Sequence, residues 1–78
     1  MEMLIRYEEN LSRLRQNKSL KEAHPELEIY LSERLFDLYK FSQREMAFAS
    51  NFVIKTRLCE FERDLTTVEN ILANSLEA

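Results

Sequence analysis

An all-α fold follows from three observations on this 78-residue chain. Glycine is absent and Pro25 is the only proline, so few positions interrupt a helix. Hydrophobic residues make up 45% of the chain and charged residues 32%, the balance of a folded helical protein rather than a disordered one. Finally, Ile54, Leu58, Phe61, Leu65, Val68 and Leu72 recur at alternating spacings of four and three, which confines them to a stripe roughly 80° wide on a helix. Lys55, Glu60, Glu62, Arg63, Asp64 and Asn70 fall outside it. The spacing is that of a coiled-coil seam, and a stripe so narrow is expected to face one neighbour. These features predict a single all-α domain: an antiparallel helical hairpin or three-helix bundle, with coiled-coil-like packing of the last two helices.

Helix A is expected over about residues 2–16, where Met3, Leu4, Tyr7, Leu11 and Leu14 share one side and Arg6 and Arg13 point away. Asn17 is a candidate for the left-handed conformation that ends a helix. In the linker 17–24, Ser19-Leu20-Lys21-Glu22 has the spacing of a capping box. His24-Pro25 then opens helix B, over about 25–49, because proline suits a first helical position and Glu26 and Glu28 favour the positive end of the helix dipole.

Helix B is apolar on two sides. Leu27, Tyr30, Leu31, Leu35, Leu38 and Phe41 form a broad stripe, while Ile29 and Phe36 line the opposite side with Tyr39 between. Such a helix is expected at the centre of its bundle or of an oligomer, between A and C or between C and another subunit. Arg34 falls inside the broad stripe. Either its stem packs and its guanidinium reaches water, or it pairs with a buried carboxylate, including one on a partner. Helix C, over about 52–76, is expected to follow a break at Ser50-Asn51, which leaves two arms of similar length. A break at Ser42-Gln43-Arg44-Glu45, or one continuous helix in an extended dimer, is the alternative. Glu77-Ala78 forms a polar tail.

A chain this short buries only about 60% of its unfolded surface, and small domains usually gain further burial from disulfides, a metal or a partner. Cys59 and His24 are the only residues of their kinds, so no internal disulfide or Cys/His metal cage can form. A partner chain remains, either a second copy or another protein, and no cofactor is expected. His24 is read as a linker residue. The charges of Met1 to Glu9 interrupt what would be a signal-peptide core, and the longest uncharged run, Met46 to Ile54, is nine residues, against about twenty for a membrane span. With one cysteine, the expected compartment is the reducing cytoplasm.

Catalysis is not expected. Glu8/Glu9 and Glu60/Asp64 fall on predicted outer faces, Cys59 has no nearby base in sequence, and glycine-dependent phosphate or calcium loops cannot occur. The reading is therefore a non-catalytic protein–protein interaction module that buries an apolar helix face, with Ile29, Phe36, Tyr39, Phe48 and Phe52 as contact residues. The alternative is a nucleic-acid-associated regulator using Arg6, Arg13, Arg15, Lys18 and Lys21 against phosphates. Against it stands the net charge of −3. In general character, small acidic helical hairpins of this kind are similar to secretion chaperones and to phage or bacterial adaptor proteins. That likeness is one of composition.

Overall fold

The computed structural model describes residues 1–77, with side chains through Ser75. Leu76, at the expected end of the seam, and the tail Glu77-Ala78 lie outside the described side chains. Three long helices, α1 (Glu2–Gln16), α3 (Pro25–Lys40) and α4 (Asn51–Glu77), pack together, and a short α2 (Lys18–Ala23) turns the chain between the first two. The contacts set the directions. Arg6 of α1 meets Glu62 and Glu69, and Asn10 meets Glu69, so α1 runs parallel to α4. Arg34 meets Asp64, while Phe41 meets Phe61, so α3 runs antiparallel to both. The bundle is 42 Å long and under 20 Å across.

The core consists of Tyr7, Leu11, Leu14, Leu20, Leu27, Leu31, Leu38, Phe41, Phe61, Leu65, Val68 and Leu72, all buried. The α4 seam thus reaches the interior from Phe61 onward, while Ile54 and Leu58 are half-buried. It is expected to face one neighbour, but Phe61 lies edge-on to Tyr7 of α1 and tilted against Phe41, just past the end of α3. Two helices share the stripe because its polar flanks pair: Glu62 and Glu69 with α1, and Asp64 with α3. Within one chain helix B is not central. Helices α1, α3 and α4 each touch the other two, and the second apolar face of α3 is open to solvent.

The junctions are specific. Asn17 is extended rather than left-handed (φ −109°, ψ 105°), and its side chain accepts a hydrogen bond from the Leu20 amide at 3.1 Å. It ends α1 and caps α2 at once, so the cap expected at Ser19 is made two residues earlier by Asn17. His24 Nε2 lies 2.7 Å from Ser75 Oγ, which donates to the Ile71 carbonyl. The serine's one hydrogen is thereby used, so the imidazole donates and ties the α2–α3 corner to the far end of α4. After Lys40 the helix widens over Phe41–Glu45, with the Met46 amide bonding back to the Phe41 carbonyl, and then tightens over Met46–Phe48. Ala49 is extended, and Ser50 Oγ accepts from the Val53 amide. The hairpin therefore reverses where Ser50-Asn51 indicated. Ser42, the alternative cap, instead donates back to the Tyr39 carbonyl.

Candidate functional site

Arg34 resolves in favour of the ion pair. Its guanidinium lies 3.0 Å from Asp64 and 3.6 Å from Asp37 and stacks 4.3 Å above the Phe61 ring. The carboxylate is on the same chain, and Asp64 is not the solvated outer-face residue expected. Burial pushes the Tyr7 phenol up to about 12, with Arg34 opposing, and its hydroxyl donates to the Phe61 carbonyl at 2.6 Å. A second polar cluster holds α1 in register on α4. Arg6 bridges Glu62 and Glu69 at 2.7 Å, and Asn10 donates to Glu69 at 2.9 Å. Burial raises the Glu69 carboxyl, but the bonds from Arg6 and Asn10 outweigh it and leave it below the ordinary carboxylate value. This cluster was missed in the sequence, where Arg6 was assigned to an outward face. The seven-residue spacing of Glu62 and Glu69 is the signal that marks it.

With the apolar core closed, surplus apolar surface remains. Ile29 is 64% exposed, Phe36 64%, Tyr39 54%, Phe48 91% and Phe52 78%. Phe36 and Tyr39 lie on the outward side of α3 and Ile29 at the rim of its groove with α4, and Lys40 sits 5.8 Å over the Phe36 ring. Phe48 and Phe52 flank the hairpin reversal, with Val53 beside them. Helix α1 does not cover this tip. It has 15 residues against 27 in α4, and its first turn lies beside Leu58 and Glu62. The tip is basic, since residues 40–57 carry Lys40, Arg44, Lys55 and Arg57 against Glu45 alone, in a chain of net charge −3. A groove of about 470 Å³ between α3 and α4, lined by Leu27, Ile29, Tyr30, Val68 and Ile71 among others, adjoins the α3 face. Tyr30, assigned to the core stripe, is in fact exposed at its wall.

The basic segment is largely engaged. Arg6 is held by two carboxylates, Arg15 lies 3.0 Å from Glu28, and Lys21 and Lys18 lie 3.9 and 4.0 Å from Glu28 and Glu22. Cys59 is exposed on α4. Among the described residues, no group of three His, Cys, Asp or Glu side chains is placed to hold a metal ion, and no helix is long and apolar enough to cross a membrane.

The class defined by these features is a small, elongated helical bundle with a closed apolar core and exposed apolar residues on one helix face and at one end. No family model matches the chain, and no curated protein or solved structure is significantly similar to it.

Proposed function

We propose that this chain is a non-catalytic protein–protein interaction module, adaptor- or chaperone-like in action, which works by burying the outward face of α3 and the hairpin tip against a protein partner. The supporting observation is the exposure of Phe36, Phe48 and Phe52 in a molecule whose core is complete without them. Scattered apolar residues are normal on a surface, but aromatic side chains grouped on one helix face and at one tip are the composition of a contact site. The engagement of Arg6, Arg15, Lys18 and Lys21 by carboxylates weighs against a phosphate-binding role for that segment.

The test uses Phe36→Glu and Phe48→Glu. Each variant is expected to keep the far-UV helicity of the purified chain and to lose association, with itself or with a protein that co-purifies from the native host. If both retain the association of the wild type, the apolar faces are not the contact surface. If either unfolds, that residue belongs to the core.

A further inference from the structure

The outward face of α3 carries a second heptad pattern, distinct from the α4 seam. Ile29, Ser32, Phe36 and Tyr39 follow spacings of three, four and three, the pattern that places side chains along one helix-facing stripe. Along one flank of that stripe, at intervals of seven, stand Glu26, Glu33 and Lys40. All three are exposed, and neither Glu33 nor Lys40 enters an ion pair among the described residues. The flank is therefore acidic toward the start of α3 and basic at its end.

Resting on the interaction reading above, we infer that this face pairs with the same face of a second copy, α3 antiparallel to α3, about a two-fold axis beside Phe36. Antiparallel pairing sets equivalent flanks against each other in opposite directions, so Glu33 of each copy meets Lys40 of the other and the two Phe36 rings fill the centre. A parallel pairing sets Glu33 beside Glu28 of the second copy, already paired with Arg15 and Lys21, and leaves Lys40 opposite Leu35 with no carboxylate to meet. The charges thus select one orientation, and they select this chain as its own complement. The dimer puts the two α3 helices at the centre of six long helices, which accounts for the two apolar faces of each.

The experiment reverses the flank. Glu33→Lys sets lysine against Lys40 of the other copy, and Lys40→Glu sets glutamate against Glu33; both positions are exposed and suit helix-favouring residues, so circular dichroism should match the wild type. In sedimentation equilibrium the wild type is expected to dimerise and each variant to do so roughly tenfold or more weakly. An equimolar mixture of the two variants should recover a heterodimer in native mass spectrometry. A monomeric wild type, a dimer indifferent to both substitutions, or a mixture no better paired than its components overturns the self-pairing. If Phe36→Glu still abolishes capture of a different protein in that case, the interaction reading stands and only the identity of the occupant has failed.

Discussion

Phe61 is approached by polar groups from two helices, the Tyr7 hydroxyl on its carbonyl and the Arg34 guanidinium on its ring. Arg34 was legible as an anomaly because its helical angle put a charge inside an apolar stripe. Its partner was not, because Asp64 lies off the α4 seam and only the packing of two helices turns it inward. Removing Asp64 alone is harsher than removing both charges, since it leaves a largely buried guanidinium with only the longer contact to Asp37. Tyr7 supplies the measurable consequence. Its folded pKa of about 12 lies above the ordinary value of 10, so its neutral form is the one the fold prefers. That contribution is fully present below about pH 10 and is lost as pH rises toward 12, by on the order of 2 kcal/mol. Denaturant melts across this interval should show a loss in the wild type that Tyr7→Phe lacks; parallel loss in both chains contradicts the assignment.

Helix starts lie near the caps and breakers in the sequence, which act within a few residues, but α3 ends at Lys40, nine residues short of the end expected for helix B. The turn residues were harder. Asn17 was correctly marked as a terminator but for the wrong backbone conformation, since a side chain able to cap the following helix favours the extended form over the left-handed one. Asn17→Ala should therefore cost about 1 kcal/mol by leaving the Leu20 amide without its acceptor, which lowers Tm by roughly 4–8 °C in a domain of this size. Asn17→Gly should cost only a few tenths of that. A glycine variant more stable than the wild type would mean the position prefers positive φ after all. The widened turn at Phe41–Glu45 falls on Ser42-Gln43-Arg44-Glu45, the alternative break in the sequence, but Ser42 caps no new helix there, and Phe41 packs against Phe61 and beneath Arg57.

At the scale of the molecule, the candidate contact residues Ile29, Phe36, Tyr39, Phe48 and Phe52 were visible in the sequence because each lies off its own helix's buried stripe or in the one long uncharged run. Whether α1 would cover them was not. That depends on the axial register of α1 on α4, fixed by Arg6 and Asn10 against Glu62 and Glu69 across more than fifty residues of chain. The register leaves the tip bare and gives the bundle two apolar surfaces that its own core does not use. The most direct test replaces Phe36 and, separately, Phe48 with a photoreactive benzoyl-phenylalanine in the native host, followed by irradiation and mass spectrometry. Discrete protein adducts are expected at one or both positions, with a second copy of this chain at position 36. An absence of protein adducts at both positions, from a chain that remains folded and abundant, would contradict it.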